Sequence, residues 1–191
     1  MGKNKTLTNN DTQNFILKGS NSIQIGIYLL LFAFILKSLL DGFLSDVSML
    51  GMMSIEIIES VGSSLIVLLI LFSALALFFS NRRSARRAGL TIWNEASKKQ
   101  FIMYLIVSFV MLSILIFIKS MAFSNYLGPL FLFGFGLLLF ISNPKRKKIH
   151  LLLTVISVVL AVLVFLIPSY WYSAILILGA SLIVYGIMVR K

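Results

Sequence analysis

Residues 61–79 read VGSSLIVLLILFSALALFF, and the basic run RRSARR follows at 82–87. The apolar stretch carries no charge, and its length is close to the roughly 20 residues that a helix needs to cross the hydrocarbon core of a bilayer. Inside lipid only helices and closed barrels satisfy their own backbone hydrogen bonds, and a long run without alternation favours a helix. This stretch therefore predicts a transmembrane helix that ends in cationic residues.

The same pattern recurs along the whole chain of 191 residues. Hydrophobic residues make up 59% of it and charged residues 12%, whereas typical soluble domains are about 25% charged, so a water-soluble fold is excluded. The predicted fold class is an all-α integral membrane bundle of six transmembrane helices. A single transmembrane domain over 23–191 follows a disordered, basic, cytoplasmic tail at 1–22. The apolar stretches place the spans at about 23–40, 61–79, 101–118, 127–141, 151–167 and 172–189.

The Lys and Arg residues fall almost entirely on one side of these spans. Fifteen of the 17 lie in segments that alternate crossings would bring to the same face, namely 1–22, 82–99, 145–148 and 190–191. Short segments rich in Lys and Arg resist translocation. We therefore expect both termini in the cytoplasm, and the protein in the cytoplasmic (inner) membrane of a prokaryote.

The connector at 83–99 carries small and apolar residues on one helical face and polar residues on the other. This pattern predicts a short helix in the cytoplasmic interface, anchored by Trp93, which serves as a membrane-bound connector or as a docking surface for a soluble partner. The net charge of +11 then points to anionic lipid headgroups rather than nucleic acid. The candidate contacts for lipid or partner are Arg82, Arg83, Arg86, Arg87 and Trp93.

Charges near the outer ends of the spans form a second group of candidates. Lys37 lies inside the first span, and Asp41 follows about one helical turn later. An ionisable residue within a span is a functional candidate, although a Lys close to the boundary can extend its amine to water. Glu56 and Glu59 can share a face if their segment is helical. We expect Lys37 to have a structural role with Asp41, Glu56 or Glu59 as its partner, and the acidic residues to form either a solvated outer face or one that collects cations or protons.

The residue types of catalytic and metal sites are scarce. The chain has no cysteine, and His150 is its single histidine, which excludes thiol catalysis and thiolate-bound metals. We find no nucleophile–base motif, no phosphate-binding glycine loop and no pair of carboxylates at membrane depth. The prediction is a protein that is not an enzyme and has no catalytic residues, cofactor or bound metal.

Small residues within the spans are predicted packing positions, because they let helix backbones approach each other in lipid. These positions are Gly134 and Gly136 in the fourth span and Gly179 in the sixth. Shifting the third and fourth spans by 45 residues lays them on the fifth and sixth and places Gly134 on Gly179. This internal similarity suggests three tandem helical hairpins.

The last hairpin carries Leu166-Ile167-Pro168 at its turn and LGASLIVYGI at 178–187 in its return helix. In these residues it resembles the HdeD-like family of small bacterial membrane proteins, which are six-span chains built from such hairpins. The likeness covers about the final quarter of the chain. It implies a non-enzymatic inner-membrane protein with a structural or envelope-stress role, and it brings no catalytic residues with it.

Two alternative functions are compatible with this length and span count. Substrate-binding subunits of energy-coupling-factor vitamin transporters usually have an alanine-spaced docking face on the first helix, and IGIYLLLFA at 25–33 lacks it. The other alternative is an accessory or immunity subunit of a larger membrane complex. The expected partners are membrane lipids, a membrane protein or further copies of the chain, and not nucleic acid.

Overall fold

A computed structural model describes residues 17, 19–44, 55–87, 95–120, 126–142 and 148–190. Within these residues all regular structure is helical, which confirms the all-α prediction. A short 3-10 turn at Pro168–Tyr170 precedes the last helix. The six helices are α1 (Gly19–Leu44), α2 (Ile55–Arg87), α3 (Glu95–Ser120), α4 (Leu127–Ile141), α5 (Lys148–Leu166) and α6 (Trp171–Arg190).

Four of these helices are long and apolar enough to cross a membrane. The qualifying segments are Gly19–Gly42, Ser60–Arg83, Ser97–Ile118 and Pro168–Val189. The apolar segments of α4 and α5, Leu127–Ile141 and Leu151–Leu166, are shorter. At 1.5 Å per residue each of them extends for roughly 23 Å, against the roughly 30 Å of a hydrocarbon core. The described part of the chain is therefore a helical bundle of membrane type, with four long apolar helices and two short ones.

The helices do not pack simply in chain order. The most extensive contact joins α1 to α6, followed by α4 with α5, α1 with α2 and α3 with α4, while α5 and α6 share a smaller contact. The contact between α2 and α3 is slight. Neighbours around the bundle therefore follow the order α2, α1, α6, α5, α4, α3, and the ring is weakest where α2 meets α3.

Leucine side chains fill the centre of the bundle. Leu29, Leu132, Leu178 and Leu182 have no exposed surface. The outside of the bundle is also apolar, and large side chains such as that of Phe109 are mostly exposed. A continuous apolar exterior marks a surface that contacts membrane lipid, which agrees with the hydropathy of the helices.

The first helix begins earlier than the predicted boundary at residue 23. Helix α1 starts at Gly19, and Leu17 before it is buried, with its amide donating to the carbonyl oxygen of Ser142. Asn21 and Ser22 are also fully buried. The predicted tail at 1–22 therefore extends too far, because small polar residues that lower the local hydropathy pack inside the bundle. Residues 1–16 lie outside the described part.

The connector predicted as an interfacial helix at 83–99 begins and ends within longer helices. Residues 83–87 are the last turn of α2, and residues 95–99 are the first turn of α3. Residues 88–94 lie outside the described part. The apolar spans on both sides continue as helix into the polar segments, since nothing in Arg83–Arg87 or Glu95–Lys99 breaks a helix. In the same way α2 begins at Ile55 and includes part of the outer acidic segment.

Candidate functional site

Helices α1 and α6 meet along a seam of small residues. A β-carbon placed on Gly26 would lie 2.7 Å from the carbonyl oxygen of Gly179, and one placed on Gly186 would lie 2.5 Å from that of Gly19. Gly19 thus faces Gly186 and Gly26 faces Gly179, so the two helices run antiparallel. On each helix the two glycines are seven residues apart, which is about two turns. The backbones approach this closely because no side chain separates them.

A hydrogen bond crosses the same seam. The hydroxyl of Ser22, which is fully buried, donates to the carbonyl oxygen of Leu182 at 2.7 Å. The sequence analysis identified Gly179 as a packing position but missed Gly19, Ser22, Gly26 and Gly186. One signal in the sequence could have identified them. The first and last helices each carry two glycines seven residues apart, and this shared spacing indicates that the two helices pack against each other.

The other two predicted packing glycines place α4 between α3 and α5. A β-carbon on Gly134 would lie 2.6 Å from the sulfur of Met111 on α3, and one on Gly136 would lie 3.2 Å from the β-carbon of Ser157 on α5. The Ser157 hydroxyl donates to the carbonyl oxygen of Leu132 at 2.7 Å. Both glycines therefore lie in helix–helix contacts, and the α4–α5 contact also has a buried hydrogen bond between helices.

Gly134 and Gly179, which the internal repeat superimposes, have different surroundings. Gly134 faces α3, the partner helix of its own hairpin, whereas Gly179 faces Leu30 and Gly26 on α1. The sequence similarity between the two hairpins is thus not matched by equivalent packing, because α6 makes its main contact with the first helix of the chain and not with α5.

Lys37 lies at one end of the bundle in a cleft between α1 and α6. Its amine is 4.6 Å from the centroid of the Tyr172 ring, a distance at which a cation is attracted to the ring face. Asp41 lines the same open cleft of about 520 Å³. Glu56 and Glu59 fall in the first two turns of α2, and their side chains are outside the described part. Lys37 and Asp41 are therefore brought together, and an aromatic ring is the described partner of Lys37.

The basic candidates lie around the opposite end of the bundle. On α2, Arg82 is half-buried and Arg83 and Arg86 are exposed. Arg87 is the last residue of α2, and its side chain is outside the described part, as is the whole of Trp93. On α3, Lys98 and Lys99 are exposed beside them, a pair that the candidate contacts did not include.

Packing pairs along the bundle show that neighbouring helices are antiparallel. Gly62 on α2 faces Leu36 on α1, while the ring of Tyr28, further back on α1, packs at an angle against that of Phe72 with centroids 6.0 Å apart. On α4 and α5, Gly128 faces Val164 and Gly136 faces Ser157. The N-terminal ends of α1, α3 and α5 and the C-terminal ends of α2, α4 and α6 consequently lie at one end of the bundle.

Buried amide side chains lie at this same end and were missed by the sequence analysis. Gln100 on α3 donates to the carbonyl oxygen of Ile141 on α4 at 3.0 Å. Asn21 on α1 and Asn81 on α2 are buried, and none of their side-chain nitrogen and oxygen atoms has a hydrogen-bond partner within the described part. Isolated amides near span ends carry no motif, so the sequence offered no signal for them.

The described residues provide surfaces for packing and binding. Among residues 17, 19–44, 55–87, 95–120, 126–142 and 148–190, no group of three or more His, Cys, Asp or Glu residues lies close enough together to hold a metal ion. The arrangement instead combines a tight α1–α6 seam, an outer Lys37 cleft and a basic end. No family model, no curated protein and no solved structure matches the chain.

Proposed function

We propose that this chain is a non-enzymatic, multi-pass protein of a prokaryotic cytoplasmic membrane, with six crossings and both termini inside. The supporting observation is the antiparallel packing of successive helices, which brings the helix ends next to the basic segments to one end of the bundle. Lys and Arg in short segments hold those segments on the cytoplasmic side. The basic end is then the cytoplasmic end, where it meets anionic headgroups.

The short helix α4 fits this proposal because protein covers two of its sides, while α5 continues to Lys148 and is 19 residues long as a whole helix. Helix α4 packs against α3 on one side and α5 on the other, and about half of its residues are buried. A span shorter than the hydrocarbon thickness costs only fractions of a kcal/mol per Å of mismatch, and neighbouring helices reduce its contact with lipid. Six crossings therefore need no change in the described helices.

A cytoplasm-dependent reporter fused after Lys191 tests the topology. Six crossings and an inside N-terminus predict an active reporter, whereas a fusion placed in the segment between α1 and α2 should be inactive. An active reporter between α1 and α2, together with an inactive one at the C-terminus, would reverse the orientation. An even number of crossings places both termini on the same side, so reporters at the N-terminus and the C-terminus must be either both active or both inactive.

Within the membrane, the protein acts by binding or structural support, in the envelope-stress role that the HdeD-like resemblance implies. The first helix supports this reading over a transporter subunit, since its small residues Gly19, Ser22 and Gly26 pack against α6 and leave no small-residue face for docking an external partner. Purification from native membranes separates the possibilities. A lone or self-associated chain supports the structural role, an ATPase partner supports transport, and a large complex or a toxin supports an accessory or immunity subunit.

A deletion strain provides the physiological test. An envelope-stress role predicts lower survival after acid or membrane stress and normal growth without it. Equal survival of the deletion and parent strains under both kinds of stress would exclude this role while leaving the topology unaffected.

A further inference from the structure

An apolar groove opens between α2 and α3, where the ring of helices is weakest. It has a volume of about 600 Å³ and is lined by residues from Val67 to Phe78 on α2 and from Phe101 to Leu112 on α3. We call it the α2–α3 groove. Ala74 contributes only a methyl group to one wall, and the groove is open to the side of the bundle. A groove of this kind in a membrane-spanning bundle faces lipid acyl chains.

The length of the groove corresponds to one leaflet of a bilayer. From Val67 to Phe78 the helix advances by roughly 16 Å at 1.5 Å per residue, and half of a hydrocarbon core is about 15 Å. The rings of Phe78 and Phe101 lie 6.0 Å apart at the end nearest the basic residues. The groove therefore runs from the basic end of the bundle towards its middle.

Cationic residues follow the basic end of the groove on both helices, and Arg82 and Lys98 continue the helix faces that line it. Arg82 lies one turn beyond Phe78 on α2, and the exposed Arg83 and Arg86 follow it. On α3 the exposed Lys98 and Lys99 come just before Phe101. Arg and Lys bind phosphate oxygens through charge-assisted hydrogen bonds, and the segments 82–87 and 95–101 contain a single acid, Glu95. This end of the groove is therefore complementary to an anionic headgroup.

One polar group lies within the groove. The Ser108 hydroxyl is buried and has no hydrogen-bond partner in the described part. Ser73 and Ser113, on the same two helices, donate to the carbonyl oxygen four residues before them. If the Ser108 side chain rotates, its hydroxyl can also donate to the carbonyl oxygen four residues before it. An acyl chain that packs against Ser108 then leaves no hydroxyl without a hydrogen bond.

We propose that the α2–α3 groove binds one anionic phospholipid, with an acyl chain between Ala74 and Ser108 and the phosphate among Arg82, Arg86 and Lys98. The inference rests on the membrane insertion proposed above. A second copy of the chain fits this groove less well, because a symmetric contact would set the basic ends of two bundles side by side, and like charges repel.

The test uses the purified full chain in a non-ionic detergent, with native mass spectrometry to count bound lipid. The probes are phosphatidylglycerol, phosphatidylcholine and glycerol 3-phosphate. We expect one phosphatidylglycerol to be retained at least roughly tenfold more tightly than phosphatidylcholine, given the contribution of several cations near the headgroup. Glycerol 3-phosphate, which has no acyl chain, should not be retained. Equal retention of the two lipids, or binding of glycerol 3-phosphate alone, would overturn the proposal.

Two variants and their matched controls locate the site. Ala74→Phe fills the groove and should abolish retention of phosphatidylglycerol, whereas Ala180→Phe, at an exposed position of α6, should leave it unchanged. If Ala74→Phe still retains phosphatidylglycerol, the lipid does not bind in the α2–α3 groove. A dimer that lacks lipid and dissociates on Ala74→Phe would identify a second copy as the occupant and also refute the proposal.

The headgroup contacts are tested by the double variant Arg86→Gln and Lys98→Gln, which changes only exposed residues and should preserve folding. Each charge removed should weaken phosphatidylglycerol binding by roughly fivefold, until it equals that of phosphatidylcholine. Lys37→Gln, at the opposite end, should have no effect. If the double variant still selects phosphatidylglycerol as strongly as the unchanged protein does, the proposed headgroup site is wrong. Lipid retention is measured in detergent and the topology is measured with reporter fusions in cells. A failure of the lipid-binding proposal can therefore be distinguished from a failure of the proposed topology.

Discussion

Gly26 on α1 and Gly179 on α6 lie backbone to backbone. A β-carbon on Gly26 would be 2.7 Å from the Gly179 carbonyl oxygen, and a β-carbon on Gly179 would be 3.1 Å from that of Gly26. Both atoms met are backbone atoms, which cannot turn aside as a side chain does. This contact joins the first and last helices of the chain, so it closes the bundle between segments that are far apart in sequence.

Gly26→Ala should therefore separate α1 from α6 and destabilise the protein. The added methyl group meets the Gly179 carbonyl and the Ile183 side chain, both at 2.7 Å, and overpacking of this kind costs about 1–3 kcal/mol. The measurement is thermal or denaturant unfolding in detergent. The matched control is Gly62→Ala, whose methyl group would meet only the Leu36 side chain at 3.6 Å and should be neutral or slightly stabilising. If the two substitutions changed the stability equally, α1 and α6 would not be in close backbone contact at Gly26.

Gly134→Ala should be milder than Gly26→Ala although its contact is equally close. The atoms it meets, at 2.6 Å and 2.7 Å, belong to the flexible side chain of Met111. Methionine adapts to irregular space by changing rotamers, so the expected loss is about 1 kcal/mol or less. The same unfolding measurement ranks the two variants. A larger loss for Gly134→Ala than for Gly26→Ala would show that side-chain flexibility does not decide the cost.

Ser22→Ala and Ser157→Ala each remove a hydrogen bond between helices, from Ser22 to Leu182 and from Ser157 to Leu132. Such bonds in membrane proteins average about 0.6 kcal/mol, and we expect a loss of that size for each variant. Ser113→Ala is the control, because its hydroxyl bonds the carbonyl oxygen of Phe109 within its own helix. Unfolding in detergent should show no loss for the control. A loss as large as that of Ser22→Ala would argue against a specific role for the bonds between helices.

The positions of the spans could be predicted from the sequence, but the choice of helix partners could not. An uncharged run such as 61–79 is sufficient to predict a helix, because lipid leaves the backbone no other way to satisfy its hydrogen bonds. Which face is buried is a different question. Lipid-facing and protein-facing sides are equally apolar, so hydropathy does not distinguish the face of α1 that carries Gly26 from the face that carries Leu31. The partner is chosen by close packing, which becomes visible only in the folded bundle.

The candidate site was predicted in part for a similar reason. Charge marks a residue in the sequence, so the basic end and Lys37 were recognised. Ser22, Asn21 and Gln100 resemble ordinary polar residues near a span boundary, and their burial depends on the helices around them. The prediction for Lys37 also named only carboxylates as partners, whereas the described contact is the ring of Tyr172, which lies on a helix that the sequence did not place beside α1.

Asn21→Leu should stabilise the protein or leave its stability unchanged. The amide of Asn21 is fully buried and none of its polar atoms has a partner in the described part. Replacing an unsatisfied buried polar group by an apolar one of similar size removes a desolvation penalty of about 1–3 kcal/mol. Gln100→Leu is the comparison, since it removes an unpartnered oxygen but also breaks the bond to the Ile141 carbonyl, so its effect on stability should be less favourable than that of Asn21→Leu. A loss of stability in Asn21→Leu would show that the amide has a partner in the folded protein.

A double-mutant cycle on Lys37 and Tyr172 tests the contact at the outer cleft. With the amine 4.6 Å from the ring centroid, the coupling free energy should be about 0.5–1 kcal/mol, as for exposed cation–π pairs. The cycle uses Lys37→Gln and Tyr172→Leu, with unfolding in detergent as the measurement. A parallel cycle with Asp41→Asn in place of the Tyr172 substitution should give a smaller coupling, because an exposed ion pair is screened and its geometry is not fixed by packing. A larger coupling to Asp41 than to Tyr172 would make the carboxylate, and not the ring, the partner that holds Lys37 in place.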